Sequence, residues 1–233
     1  MKKLLSFLLC LLSAGTLLAQ NDAGIQGSGN VTVREVPVGP FSKLEVGGMF
    51  AVVLAQGTRE ALAIEADDNL QELVEAAVDN GTLRVSMKHR KGKGLNLRGY
   101  KKLVVHLTFR DLSFIKFSTM GRVSSEGSLR FNDLKIRNSS MGSIELDLKA
   151  THLDLLNEAM GSVTLKGSTP EAAIRHEGMG SIKAAGFVID TLYIANKGMG
   201  SVEVNAVKQM VYQDSFMGKV RNVGPAPAVK KGR

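Results

Sequence analysis

The stretch Leu153-Asp154-Leu155-Leu156-Asn157-Glu158-Ala159-Met160-Gly161-Ser162-Val163-Thr164-Leu165 holds two short alternating runs on either side of a Met-Gly pair. Leu153, Leu155 and Asn157 precede Met160 by seven, five and three residues, and Val163 and Leu165 follow it by three and five. Apolar side chains at every second position mark strands with one buried face. The small residues between the runs mark a corner.

The pattern returns along the whole C-terminal half. Met-Gly pairs stand at Met120-Gly121, Met141-Gly142, Met160-Gly161, Met179-Gly180, Met199-Gly200 and Met217-Gly218, at spacings of 21, 19, 19, 20 and 18 residues. Before each Met the same three positions read Leu134, Ile136, Asn138, then Ala172, Ile174, His176, then Leu192, Ile194, Asn196, then Met210, Tyr212, Asp214. After it come Ile144 and Leu146, Ile182 and Ala184, and Val202 and Val204. A fixed period of this length is the signature of a solenoid, whose rungs bury their apolar faces only by stacking. The expected fold is all-β: a single-stranded right-handed parallel β-helix with about 20 residues per rung. Each rung holds two short strands, joined at Met-Gly-Ser and at a turn such as Lys166 to Pro170.

The polar position three before each Met has two readings. Asn138, Asn157, His176, Asn196 and Asp214 form either an internal ladder that satisfies corner backbone groups or a polar binding row. The ladder is favoured.

Residues 39–112 lack the period and form an irregular β-rich part. Strands are expected at 31–36, 43–46, 49–55, 61–65, 82–87 and 102–109, separated by Gly, Pro and Asp/Asn turns. One short helix is expected at 68–77, where Leu70, Leu73, Val74 and Ala77 follow helical spacing and Asn69 with Glu72 resembles a capping box. This part is expected to cover the open end of the solenoid.

Lys2 and Lys3, the apolar run 4–19 and the polar residues 20–22 read as a secretory signal peptide, residues 1–19, cleaved after Ala19. The run is short for a membrane span, and Cys10 lies too close to Lys3 for a lipoprotein signal. Segment 20–38 precedes one domain at 39–222, in which 113–222 is the Met-Gly solenoid; residues 223–233 read as a flexible basic tail. Cys10 is the single cysteine, which rules out disulfides and cysteine-ligated metals in the mature chain. The net charge is +8, or +6 without Lys2 and Lys3. The absence of Trp and the scarcity of aromatics argue against a carbohydrate site built on stacking platforms.

Four stretches in the N-terminal part carry a resemblance. They are Phe41-Ser42-Lys43-Leu44-Glu45-Val46, Phe50-Ala51-Val52-Val53-Leu54-Ala55-Gln56-Gly57, Ala66-Asp67-Asp68-Asn69-Leu70 and Asn80-Gly81-Thr82-Leu83. In this order they resemble the head GIN domain of putative auto-transporter adhesins, over roughly Gly39 to Gly224. The resemblance implies an exported β-helix protein with an adhesin-like role, and it transfers no catalytic residues. The family's corner is usually Ser-Gly-Ser-Gly or similar, whereas this chain places Met where a small residue is expected.

Direct inspection finds little chemistry. The outward positions Glu145, Asp147, Lys166, Lys183 and Glu203 are mixed in sign, and the histidines show no metal-ligand spacing. No catalytic residue, cofactor or metal is expected. Two binding features remain. Lys88, Arg90, Lys91, Lys93, Arg98, Lys101 and Lys102 create a positive segment that attracts an acidic glycan or another anionic envelope component, or else simply keeps a loop solvated. The Met row, Met120, Met141, Met160, Met179, Met199 and Met217, is either core filling or an exposed apolar stripe. Core positions fall at odd offsets from Met, so an unbroken extended chain points Met outward, whereas a corner can reverse it.

The functional expectation is an exported, non-enzymatic, adhesin-like binding protein of the bacterial envelope, in the periplasm, at the outer-membrane surface or outside the cell. A structural or self-assembling envelope protein is the alternative, with a homo-oligomer possible, and a polysaccharide-active β-helix enzyme comes third. Nucleic acid is not an expected partner, and no transmembrane span is expected after signal cleavage.

Overall fold

The computed structural model describes residues 24–88, 95–214 and 218–231. The signal peptide, the centre of the basic segment and Met217 lie outside the described residues. Strands account for 65% of the structure and helix for 3%, and the strands wind into a β-solenoid of about six turns. The all-β expectation from the 20-residue period is therefore met.

Each turn lays one strand before the Met-Gly corner and one after it. Before the corner, Thr82–Met87, Lys43–Gly48, Phe114–Thr119 and Leu129–Asn138 stack in parallel. After it, Leu103–Phe109, Ala51–Gln56 and Val123–Ser125 do the same. Later turns are continuous strands, Ile144–Asn157, Val163–His176, Ile182–Asn196 and Val202–Asp214, each paired in parallel with the next. The register places like positions in columns. Leu134, Leu153, Ala172, Leu192 and Met210 form one buried column, and Ile144, Val163, Ile182 and Val202 another. Each column is a continuous strip of apolar surface removed from water, which is the main stabilising term of a stack.

The second corner differs from expectation. Lys166 to Pro170 lies inside the strand Val163–His176 and bends it without a separate turn. Gly167 allows the bend with φ +108. Thr169 turns inward and its hydroxyl donates to the Glu171 and Thr151 carbonyls at 2.9 and 3.3 Å. Pro170, which has no N–H, falls in the ladder break between the Lys149–Ser168 and His152–Glu171 pairs.

The expected helix is shorter and of another type. A 3-10 helix covers Asp68–Leu73, and Val74–Asp79 is a strand antiparallel to Thr82–Met87. Asn80 and Gly81, with φ of 48 and 71, make the tight turn between them. That hairpin decides the state of Val74 and Ala77, whose spacing fits either period. No capping box forms; Asn69 instead donates to the Gln26 carbonyl at 2.8 Å and accepts from the Ser28 N–H at 3.0 Å.

Both ends of the solenoid are covered. Ala61–Asp67 runs antiparallel to Leu103–Phe109, and Val31–Val36 runs antiparallel to Ala61–Asp67, so the parallel stack stops there. The segment read as a flexible basic tail also belongs to the fold. Ala228–Lys230 pairs with Met210 to Tyr212, and Ala226 is buried. The open edge of the last turn supplies free backbone groups, and these residues satisfy them.

The Met-Gly corner is set by space. A Cβ on Gly142 would strike the Gly121 carbonyl oxygen; one on Gly161 would strike that of Gly142, one on Gly180 that of Gly161, and one on Gly200 that of Gly180. None of these glycines has positive φ, so close approach alone requires them. Inside the corner runs the polar ladder. Asn138 Nδ2 donates to Asn157 Oδ1 at 2.7 Å, and Asn157 Nδ2 lies 2.9 Å from His176 Nδ1. Asn138 and Asn196 each accept a corner N–H, from Ser140 at 3.0 Å and Gly198 at 3.2 Å. These residues are buried, so the ladder is internal structure.

His176 is the odd member. Its imidazole fits because Gly198 and Gly200 leave room: a Cβ at either would come within 3.1 and 3.0 Å of the ring. Burial lowers its pKa, partly offset by the backbone at Asn157 and Gly180. Nε2 is buried and has no hydrogen-bond partner among the described residues.

These packing constraints can be tested at a glycine and at the histidine. Gly161→Ala should destabilise the chain by ~1–3 kcal/mol, a drop of roughly 2–12 °C in thermal midpoint, whereas Gly39→Ala, which meets nothing within 4 Å, should change little. Burial disfavours the charged form of the His176 ring, so protons bind the unfolded chain more tightly. Stability should then fall as pH drops below the ordinary histidine value of 6.5, with a slope approaching about 1.4 kcal/mol per pH unit until the folded pKa is reached. His176→Asn should remove that component, read as a shallower loss of denaturation midpoint between roughly pH 7 and 5 than in the parent; an unchanged slope would contradict it.

Candidate functional site

The corner edge of the solenoid is built by backbone pairing. The N–H of Met120, Met141, Met160, Met179 and Met199 donates to the carbonyl of Gly48, Thr119, Ser140, Ala159 and Gly178, at 2.8, 3.0, 3.1, 3.1 and 3.1 Å. Side-chain alternation continues through the corner: Asn157 points in, Glu158 out, Ala159 in, Met160 out. The five Met side chains are therefore presented to solvent, with exposures of 51–55%. Parity is preserved where a reversal was the alternative, and the row lies outside the core.

The flanks of this row are polar. Two residues before the Met stand Ser118, Ser139, Glu158, Glu177 and Lys197; two after it stand Arg122, Ser143, Ser162, Ser181 and Ser201. Equivalent side chains meet across turns. The Ser118 and Ser139 hydroxyls are 3.0 Å apart, those of Ser181 and Ser201 are 3.2 Å apart, and Lys197 Nζ lies 3.6 Å from Glu177.

The strands on either side of the basic segment are described, and they end at the same edge. Thr82–Met87 and Leu103–Phe109 pair with Lys43–Gly48 and Ala51–Gln56 and form the turn before them. Arg90, Lys91 and Lys93 lie outside the described residues. Lys102 Nζ contacts Glu65 at 2.6 Å, and Lys88 Nζ lies 3.9 Å from both Glu72 and Glu75. Arg98 Nε donates to Asn96 Oδ1 at 3.4 Å. Where the segment returns, buried Asp67 accepts the N–H groups of Lys101 and Lys102 at 3.0 and 3.1 Å and that of Gly29 at 2.7 Å. Burial alone would raise the Asp67 pKa; these backbone donors outweigh it and leave it lowered. The positive potential of the segment is thus smaller than its count of cations suggests, because carboxylates far away in sequence sit beside Lys88 and Lys102.

A third feature has only a faint signal in the sequence. On the outer face before the corner, a groove of about 450 Å³ runs over Ala173, Tyr193, Ala195 and Val211, with Arg175 and Lys231 at its margins. Asp154 beside it is forked by Arg137, with Nη1–Oδ1 at 3.1 Å and Nη2–Oδ2 at 3.0 Å. The groove exists because short Ala173 and Ala195 pair with longer Tyr193 and Arg175 on the neighbouring turns. Small or apolar residues at outward parity are its only mark in the sequence. Among the described residues, no cluster of three or more His, Cys, Asp and Glu is placed to hold a metal ion, and no helix is long and apolar enough to cross a membrane.

Comparison with known proteins agrees with this architecture. A structure of a putative adhesin from Bacteroides fragilis is 25% identical, with a TM-score of 0.73 over 89% of this chain and 99% of that chain. A putative adhesin and a putative lipid binding protein, both from Parabacteroides distasonis, are each 18% identical, with TM-scores of 0.57 and 0.62. They cover 89% of this chain and 100% and 99% of their own, and share the fold. No curated protein is a significant match. The family model described as "Putative auto-transporter adhesin, head GIN domain" matches residues 40–226. The chain belongs to that head GIN domain family.

Proposed function

We propose that the protein is an exported, non-enzymatic, adhesin-like binding protein of the bacterial envelope, and that it engages its partner along the Met edge. The observation that carries this reading is the exposed column of five Met side chains on successive turns. Soluble proteins seldom leave a contiguous apolar strip open without a use for it. Met is well suited to such an edge, because its unbranched, polarisable side chain adapts to irregular partner surfaces. The backbone beneath is held by a hydrogen bond at every turn, so little main-chain ordering is lost on binding. Family membership supports the adhesin-like role, and the predicted signal peptide supports export.

The test is the triple variant Met141→Ser, Met160→Ser and Met179→Ser. Because these side chains point outward, its thermal midpoint should stay within ~3 °C of the parent. Retention of envelope components by the immobilised protein should be lost. If the variant instead abolishes a concentration-dependent increase in particle size, the edge serves self-assembly; unchanged retention and unchanged size would overturn the proposal.

A further inference from the structure

The Met row has a chemistry beyond its apolar area. Thioether sulfur is a soft, neutral ligand that selects soft monovalent ions over hard ones. Neighbouring turns are about 4.8 Å apart, and this spacing is fixed at the corner by the bonds from Met160 N to Ser140 O and from Met179 N to Ala159 O, both 3.1 Å. A metal–sulfur bond is about 2.3 Å, as in zinc thiolates. Two sulfurs on one ion then lie at most ~4.6 Å apart, a separation that flexible Met side chains on adjacent turns can reach by rotation about their own bonds.

The five Met positions are not equivalent. Only Met160 and Met179 have a carboxylate two residues before them, Glu158 and Glu177, both exposed and of the same outward parity. Met120 and Met141 have Ser118 and Ser139 there, Met199 has Lys197, and Met120 has Arg122 on its other side. Thioethers carry no charge, so a cation held by two of them keeps its own, and a nearby negative potential is needed to offset it. Glu158 places that potential at the middle of the row, and Glu177 adds to it while sharing its charge with Lys197, whose Nζ lies 3.6 Å away. Serines follow both Met residues at Ser162 and Ser181, leaving no cation on that side.

We propose that Met160 and Met179 form a site for a soft monovalent cation of the Cu(I)/Ag(I) class, with Glu158 and Glu177 compensating its charge. The site is independent of the partner reading for the same edge. No redox step is involved; the ion binds and leaves with its charge unchanged.

Silver(I) is the probe, because it is redox-inert under ordinary conditions. The mature protein, labelled with 13C at the Met methyl groups, is titrated with Ag(I) in chloride-free buffer. The Met160 and Met179 methyl resonances should shift together and saturate. Met160→Leu with Met179→Leu, which keeps the apolar surface and removes both sulfurs, should weaken Ag(I) binding by at least about tenfold. Glu158→Gln with Glu177→Gln should weaken it by roughly tenfold while leaving the methyl groups responsive. Unshifted Met160 and Met179 resonances at saturating Ag(I), or a Leu variant that binds as tightly as the parent, would overturn the site.

Discussion

At four successive Met-Gly corners, those of Gly142, Gly161, Gly180 and Gly200, the chain passes so close to the preceding turn that the earlier glycine's carbonyl fills the space a Cβ would need. This contact between backbones links the other features of the solenoid. It fixes the spacing of the turns at the corner, keeps the chain extended through Met, and so preserves the in-and-out alternation across the bend. The Asn and His side chains then fall inside, where Asn138 and Asn196 accept corner N–H groups, and the Met side chains fall outside. A larger residue at the glycine would not merely crowd one site. It would push apart two turns whose apolar columns are in register.

Much of this was legible in the sequence because one constraint repeats. Leu155, Ile174 and Ile194 recur in column, and a buried face must recur wherever turns stack. The polar ladder was legible for the same reason. Three features were not, and each depends on contacts between distant residues. Val74 and Ala77 fit a helical spacing, and only the hairpin at Asn80-Gly81 makes them a strand. The residues 228–230 look like a solvated tail, yet the free edge of the last full turn recruits them. Glu65 neutralises Lys102 across the N-terminal cap, where sequence separation hides the pair. The direction of Met stood between these cases, since alternation pointed outward and a corner could have undone it.

For function, the arrangement separates stability from recognition. The apolar columns, the Asn ladder and the glycine contacts hold the fold from within. The outer edge carries an apolar row and a graded set of charges along one side of the solenoid. On the proposed reading, substitutions there would act on binding with little consequence for packing. The outer groove at Tyr193 lies on a different face and is a separate feature of that surface.

The direction of the Met row is the point on which the functional account rests, and limited oxidation reads it directly. Brief treatment of the native protein with hydrogen peroxide, followed by peptide mass spectrometry, ranks each Met by access to its sulfur. Met120, Met141, Met160, Met179 and Met199, all about half exposed, should form sulfoxide at similar rates, well ahead of Met87 and Met210 at 7% and 1% exposure. Oxidation of the five at the slow rate of Met210 would place them in the core and contradict the account.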